Sequence, residues 1–254
     1  MRIASRLLAL ACLLPLAAFA QAGKTVKIGV PNDQSGLYTD LGGPGSVVAA
    51  KIAAEEFGNK VAGMPIEIVT ADHQNKPDIG SSIATKWIDV DGVDAILDVP
   101  NSGVSLAVAK VIADKNKVFI DSGAATVNLT GKNCTPNTVH WTYDTWALAN
   151  GTGKEVVKAG GDTWFFLTAD YEFGKQLEKD TRAVVEANGG KVLGSVLHPL
   201  NASDFSSFLL QAQASKANII GLANAGGDTI NSIKAASEFG IVAGGQKLAG
   251  MLLF

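Results

Sequence analysis

Segments with the character of β-strands and of helices alternate along almost the whole chain. Each strand-like run is short and apolar, and a longer stretch follows in which apolar residues recur at helical spacing. Repeated strand–helix–strand order is typical of a parallel, doubly wound α/β sheet. In the first half, the predicted strands are residues 25–30, 65–72, 93–99 and 117–123, and the predicted helices are residues 45–57, 78–89 and 103–115.

The alternation pauses once and then resumes. Residues 124–145 lack a clear period and are rich in Thr, Asn, Gly and Pro. Long connections without structure are uncommon inside a compact domain, so we interpret this segment as the crossing between two lobes, residues 23–143 and 144–254. In the second lobe the predicted helices are residues 146–160, 173–190, 203–217 and 228–240, with Ser203 or Asp204 capping the third, and the predicted strands are residues 162–170, 191–200 and 218–225.

The first 22 residues read as a secretory signal peptide. Arg2 and Arg6 precede an apolar core, Leu7–Ala20, which ends in the cleavage pattern Ala18-Phe19-Ala20. The core is shorter than the roughly 20 residues of a membrane span. We therefore expect an exported, periplasmic protein cleaved near Ala20 or Ala22. A lipoprotein anchor at Cys12 is the alternative, although no small-residue box ends cleanly before it.

Composition excludes several classes of partner and cofactor. Without the two leader arginines, 19 basic residues face 24 acidic ones, which argues against nucleic acid or an anionic membrane as a partner. Cys134 is the one cysteine beyond the leader, and with three scattered histidines it gives no zinc pattern, so we expect no metal. Arg182 is the one arginine beyond the leader, so an arginine clamp on a carboxylate is not expected.

The carboxyl ends of the predicted strands carry the candidate site. Ligands of doubly wound sheets bind beyond these ends, where loops enter helices. In "VPNSG", Asn101 and Ser102 stand at a helix start, where they either cap the helix or help to bind an anion. Small and hydroxyl residues with an isolated aromatic or acid also follow other strands, in "PNDQSGLYTDLGG", "DSGAAT", "TADYEFG" and "ANAGGDT".

Taken in order, these segments resemble a known family. "VKIGV" with "SGLYTDLGG", "IEIVTADHQNKP", "VPNSGVSLAVAK", "DSGAATVNLTG", "TADYEFGKQLEKD" and "GLANAGGDTINSIKAASEFG" are similar to periplasmic solute-binding proteins of ABC importers, in the receptor group for leucine, isoleucine and valine. The resemblance implies a type I periplasmic-binding fold: two Rossmann-like lobes, joined by crossing hinge strands, that close on a small solute and deliver it to ABC permease subunits. It implies a monomer without catalysis or cofactor, and further elements after Phe254 that finish the first lobe.

The resemblance also implies the residues that contact the solute. Ser102, at the start of the helix after the third strand, matches a serine that binds the solute carboxylate. Asp228 matches an acid that pairs with the ammonium group of amino acids, and its alternative role is a helix N-cap. The remaining candidates are Tyr38 on the rim, Ala124, Ala125 and Thr126 in the loop after the fourth strand, and Tyr171 and Phe173 against the solute.

Departures from the family pattern widen the range of possible solutes. Leu41 stands where amino-acid receptors of the group often carry an aromatic residue, and Asp228 is shorter than the usual glutamate. The solute is therefore predicted to be a branched-chain or related amino acid, or alternatively an aromatic or other small organic acid. A ligand-sensing domain is a further alternative, whereas an exported hydrolase lacks the G-x-S-x-G pattern. The tryptophans at 141, 146 and 164 are predicted to pack in the interior.

Overall fold

The computed structural model describes residues 24–254, so the predicted signal peptide lies outside the described residues. The first lobe is built on a six-stranded sheet of β1 (Val26–Asn32), β2 (Lys60–Val61), β3 (Met64–Asp72), β4 (Ala95–Leu97), β5 (Val118–Asp121) and β6 (Thr138–His140). Its strand order is β2-β3-β1-β4-β5-β6, and every pairing is parallel except the β2–β3 hairpin. The second lobe has a parallel sheet of order β10-β9-β7-β8, formed by β7 (Thr163–Ala169), β8 (Lys191–His198), β9 (Ile219–Ala223) and β10 (Lys247–Gly250).

Helices connect the strands as the alternation predicts. In the first lobe they are α1 (Thr39–Gly42), α2 (Pro44–Glu56), α3 (Pro77–Lys86) and α4 (Ser102–Asp114). In the second lobe they are α5 (Thr145–Leu148), α6 (Lys154–Lys158), α7 (Glu172–Ala187), α8 (Ser206–Ala214) and α9 (Gly227–Glu238). The predicted doubly wound architecture is confirmed, with most boundaries within a few residues of the prediction.

The differences from the prediction have local causes. The helix predicted at 78–89 ends at Lys86 and continues as a π-helical turn, Trp87–Asp91, which Gly92 ends in the left-handed conformation. The helix predicted at 146–160 likewise contains a π-helical turn, Ala149–Gly153, between α5 and α6. Neither Ser203 nor Asp204 is the N-cap of α8, which is Phe205, although Asp204 accepts from the backbone N–H of Ser206 at 2.8 Å.

Two of the three tryptophans do not pack in the interior. Trp164 is fully buried on β7, whereas Trp141 is 75% exposed and Trp146 is 61% exposed. Trp141 directly follows the edge strand β6, and Trp146 lies in the short helix α5. The interior placement predicted for Trp141 and Trp146 is therefore wrong.

The two lobes pack against each other through a shared apolar cluster. Tyr38 and Ala125 of the first lobe are buried in the same cluster as Trp164, Phe173 and Ala225 of the second. Tyr38, Ala125, Phe173 and Ala225 follow β1, β5, β7 and β9 in the chain, so the carboxyl ends of four strands from both sheets converge there. Among residues 24–254, no helix combines the length and apolar character needed to cross a lipid bilayer.

Candidate functional site

A cavity of about 150 Å³ lies where the two lobes meet. Loops of both sheets line it, together with the end of the described chain. Five predicted site residues line the cavity: Tyr38, Ser102, Ala125, Tyr171 and Phe173. Leu41, which the sequence analysis noted as a departure from the family pattern, also lines it. The other four predicted site residues do not line the cavity: Asn101, Ala124, Thr126 and Asp228.

Ser102 begins α4 and keeps a free hydrogen-bond donor. Asn101 caps the helix, since its Oδ1 accepts from the backbone N–H groups of Gly103 at 3.0 Å and Val104 at 3.1 Å. The Ser102 hydroxyl oxygen accepts from the Thr126 backbone N–H at 3.2 Å, but within residues 24–254 its own hydrogen is donated to no group. Asn101 therefore has the capping role, and Ser102 presents an O–H at the positive end of the helix dipole.

The loop after β5 is held by the buried carboxylate of Asp121. This carboxylate accepts from the backbone N–H groups of Gly123 and Ala124, both at 2.9 Å, and from the Ser105 hydroxyl. The Ala124 carbonyl accepts from His140 Nε2 at 2.7 Å. In the described part of the chain, the Ala125 N–H has no acceptor, and Ala125 lines the cavity. The hydrogen bonds of Ala124 thus hold the loop in place. The Ala125 N–H is a second free donor in the cavity wall, in addition to the Ser102 hydroxyl.

Burial raises the pKa of Asp121 from 3.8 to about 6, although the three hydrogen bonds that it accepts oppose the rise. Its contribution to stability is therefore full below about pH 4 and is lost as pH rises through about 6. Asp121→Asn, which does not titrate, should gain stability relative to the wild type across this range, by up to about 3 kcal/mol. Urea unfolding of both proteins at pH 4, 5, 6 and 7 measures the gain. Parallel stability curves would contradict the prediction.

Two tyrosines join the lobes across the cavity. The hydroxyls of Tyr38, in the loop after β1, and Tyr171, in the loop after β7, are hydrogen-bonded at 2.5 Å. Burial raises the pKa of both residues well above the usual value, and the negative charge of Asp228 adds to each rise. Both phenols therefore remain neutral hydrogen-bond donors at neutral pH.

Thr126 contributes to the contact between the lobes and not to the cavity wall. Its hydroxyl donates to the Glu172 carboxylate of α7 at 2.9 Å, and Asn128 Nδ2 donates to the same oxygen at 2.6 Å. Asn128 also donates to Gln176 at 3.1 Å. In this structure the hydroxyl of Thr126, a predicted solute contact, therefore donates to the neighbouring lobe.

Asp228 is used to position a loop of its own lobe. It lies in the first turn of α9, and its two oxygens accept from the backbone N–H groups of Asn201 at 3.1 Å and Ala202 at 3.2 Å. Burial raises its pKa to about 6. The predicted alternative, an N-cap of α9, is wrong because Gly226 is the N-cap. Asp228 therefore does not line the cavity, and its charge adds to the rise that burial causes in the pKa of Tyr38 and Tyr171.

A family model described as periplasmic binding protein matches residues 25–254. The chain belongs to this family. The family prediction is confirmed, and so is the type I fold, by likeness to solved structures of the family.

Three proteins similar to this periplasmic binding protein show how much of the chain is shared with relatives. The crystal structure of a periplasmic binding protein from Burkholderia mallei is 60% identical, with a TM-score of 0.88 over 90% of this chain and 60% of that one. A solute-binding protein of an ABC transporter from R. palustris, in complex with 4-hydroxybenzoate, is 27% identical, with a TM-score of 0.81 over 89% of this chain and 61% of that one. Leu/Ile/Val-binding protein homolog 6 of Brucella melitensis is 25% identical over 235 residues, 92% of this chain and 60% of that protein. The chain thus spans about three fifths of each relative.

Several wall residues of this periplasmic binding protein were missed by the sequence analysis. Tyr143 stands between Trp141 and Trp146 in an aromatic stretch of the chain, residues 140–146. Burial raises the pKa of Tyr143 to about 12, and the Asp121 charge adds to the rise. The other missed wall residues come from loops and from the end of the chain: Gly42, Pro100, Ser122, Gly123, Ala225, Leu252 and Phe254.

The wall of the cavity in this family member is uncharged, which limits the groups available for binding a ligand. Among the described residues that line the cavity, none carries an ionised side chain. Nor does any group of three or more His, Cys, Asp or Glu residues within 24–254 form a cluster suited to a metal ion. Hydroxyls, backbone N–H groups and aromatic rings are thus the groups that can recognise a ligand.

Proposed function

We propose that this chain is the ligand-binding part of a periplasmic receptor that captures a small carboxylate between its lobes for an ABC permease. The observation that carries the proposal is the cavity between the lobes, whose wall presents unused donors beside a helix N-terminus. The proposed receptor is a monomer, exported by a signal peptide over residues 1–22, with lobes at 23–143 and 144–254. It binds its solute unchanged, without catalysis or cofactor.

The carboxylate is placed at the start of α4. The Ser102 O–H and the Ala125 N–H are both free to donate there, and the helix dipole favours negative charge. Hydrogen bonds to a charged group contribute about 1.5–3 kcal/mol each, so two donors anchor a carboxylate without an arginine. This arrangement fits the scarcity of arginine in the sequence.

The remainder of the solute is proposed to be an aromatic ring. A cavity of about 150 Å³ matches the size that accepts benzene in an apolar protein interior. Tyr38, Tyr143, Tyr171, Phe173 and Phe254 supply aromatic surface around it. Such rings pack on a flat ligand in offset or edge-to-face arrangements. The R. palustris relative, solved with 4-hydroxybenzoate, supports this class of solute.

A branched-chain amino acid is the second candidate, and the Brucella relative supports it. An α-ammonium group needs an acidic partner when it is buried. Asp228 is the nearby acid, but its two oxygens already accept from the Asn201 and Ala202 backbone. The wall itself supplies no carboxylate among its described residues, so we favour an aromatic acid over an amino acid.

Ser102→Ala should weaken binding of 4-hydroxybenzoate about 10- to 100-fold, because one donor to the carboxylate is lost. Titration calorimetry and the shift in melting temperature measure the effect; a ligand at 100 times its Kd stabilises by about 2.7 kcal/mol. Ser82→Ala is the matched control, since that exposed hydroxyl donates to the Asp78 carbonyl of α3, away from the cavity.

Three outcomes would contradict parts of this proposal. Unchanged affinity in Ser102→Ala would remove Ser102 from the carboxylate site. Binding of leucine but not of 4-hydroxybenzoate would replace the aromatic acid with an amino acid. Turnover of an ester or peptide, with no stabilisation by any small carboxylate, would show an enzyme rather than a receptor.

A further inference from the structure

We propose that the hydroxyl pair of Tyr38 and Tyr171 is a second polar subsite that recognises a neutral ring hydroxyl on the solute. The inference rests on the proposed function, because it takes the carboxylate to be held at Ser102 and Ala125. It adds the group that selects among aromatic acids. Four steps support it: the spare hydrogen of the pair, the charge beside the pair, its separation from the carboxylate donors, and the rigidity of its supports.

The pair has one hydrogen more than it uses. Two phenols carry two O–H hydrogens, and the contact between Tyr38 and Tyr171 consumes one of them. No other hydrogen bond of either hydroxyl is formed with residues 24–254. Tyr38 is 3% exposed, and a buried hydroxyl hydrogen without an acceptor costs free energy. The pair thus presents one unused donor, with oxygen lone pairs still available as acceptors.

The charge near the pair selects the kind of group that can satisfy it. Burial raises the pKa of both tyrosines and the negative charge of Asp228 adds to the rise, so a ligand carboxylate beside the pair would be both desolvated and repelled. An ammonium group only donates, so it would leave the spare tyrosine hydrogen unpaired. A neutral hydroxyl both accepts and donates, and it carries no charge. The pair is therefore complementary to a hydroxyl.

The pair and the carboxylate donors are separate parts of one wall. Neither tyrosine hydroxyl is hydrogen-bonded to the Ser102 hydroxyl or the Ala125 N–H, yet all four residues line the same cavity. A single aromatic ring fills a cavity of this size. An acid bound at Ser102 can thus direct a second ring substituent toward the tyrosines.

Both tyrosines are held in place by their own loops. Asp33 accepts from the Tyr38 backbone N–H at 2.7 Å, and the Tyr38 ring is buried in the cluster shared by the two lobes. Tyr171 precedes α7, where Gly174 lies so close to β7 that an added Cβ would stand 2.2 Å from the Ala169 carbonyl oxygen. The two hydroxyls are therefore preorganised, a condition for selective recognition.

The test is a cycle between protein and ligand hydroxyls on the full chain. The wild type should bind 4-hydroxybenzoate or 3-hydroxybenzoate about 10- to 100-fold more tightly than benzoate, because benzoate leaves the tyrosine hydrogen unpaired. In the double variant Tyr38→Phe/Tyr171→Phe this preference should fall to about 3-fold or less, since both hydroxyls are removed, whereas either single change leaves one phenol O–H free to donate. Calorimetric affinities for the three acids provide the ratios.

The preference ratio distinguishes recognition from a structural role. A variant that only loosens the contact between the lobes weakens all three acids equally and leaves the ratio unchanged. Thr39→Ala is the matched control. It removes the hydroxyl of the residue next to Tyr38, which donates to the Gly36 carbonyl at 2.8 Å. Its ratio should equal that of the wild type.

The outcomes separate this inference from the proposed function. Equal wild-type affinity for benzoate and both hydroxybenzoates, or an unchanged preference in the double variant, would overturn the subsite and leave the carboxylate receptor standing. Loss of the preference in the double variant, with benzoate affinity retained, would support it. Failure of all three acids to bind the wild type would overturn both this subsite and the aromatic solute, and binding of leucine instead would leave a receptor for amino acids.

Discussion

Replacing Trp164 with alanine should lower the free energy of unfolding by about 3–5 kcal/mol, the usual cost of removing a large aromatic side chain from a core. Trp164 is fully buried on β7, which lies between β9 and β8. Its ring centroid is 5.7 Å from that of Phe166, and its Nε1 donates to the Gly161 carbonyl at 2.9 Å. The substitution leaves a cavity and an unpaired carbonyl in the same cluster that holds Phe173.

Urea unfolding followed by circular dichroism measures this loss. Trp141→Ala is the matched control, because the same side chain is removed from a position that is 75% exposed. We expect the control to change the unfolding free energy by less than about 0.5 kcal/mol. Similar losses in the two variants would show that Trp164 is not a core residue.

Asp33→Ala is the second large effect that we expect, with a loss of about 3 kcal/mol or more in unfolding free energy. The fully buried Asp33 carboxylate accepts from the backbone N–H groups of Gly36 and Tyr38, both at 2.7 Å, and from Asn75 Nδ2 at 2.6 Å. Alanine would leave three donors without an acceptor. The loop that positions the Tyr38 ring would lose its support, so affinity for 4-hydroxybenzoate should also fall about 10-fold or more.

Asp40→Ala is the control for this experiment, since Asp40 is an exposed acid two residues after Tyr38. It should leave both the stability and the affinity near the wild-type values. If Asp33→Ala lowered stability without changing affinity, the loop after β1 would not depend on Asp33 to place Tyr38. If neither quantity changed, the three hydrogen bonds would have no net effect.

Both large effects concern residues whose importance is hidden at the level of sequence. Trp164 was assigned to packing together with Trp141 and Trp146, and the three cannot be told apart without knowing which face of which element each occupies. Asp33 lies in a loop that the sequence analysis quoted, yet its carboxylate was not singled out. Its role depends on Asn75, which follows the next long strand, and a contact over 42 positions has no local signature.

Part of the candidate site could be predicted because its positions follow from topology. Parallel strands place their carboxyl ends on one edge of a sheet, so the loops with Tyr38, Ser102, Ala125, Tyr171 and Phe173 converge once the alternation is recognised. The roles of individual polar groups did not follow. Whether Thr126 donates to a solute or to Glu172 depends on how close the second lobe stands.

The alternation of strands and helices, and with it the parallel sheets, could be predicted from the amino-acid sequence, because apolar periodicity is a local property of each segment. The sequence did not predict β6, since Thr138–His140 is a short edge strand that forms only because β5 offers it an open edge. The contact between the Tyr38 and Tyr171 hydroxyls, 133 positions apart in the chain, follows from the packing of the two lobes. A hydrogen bond requires atoms within about 3 Å, and lobe packing alone sets such a distance.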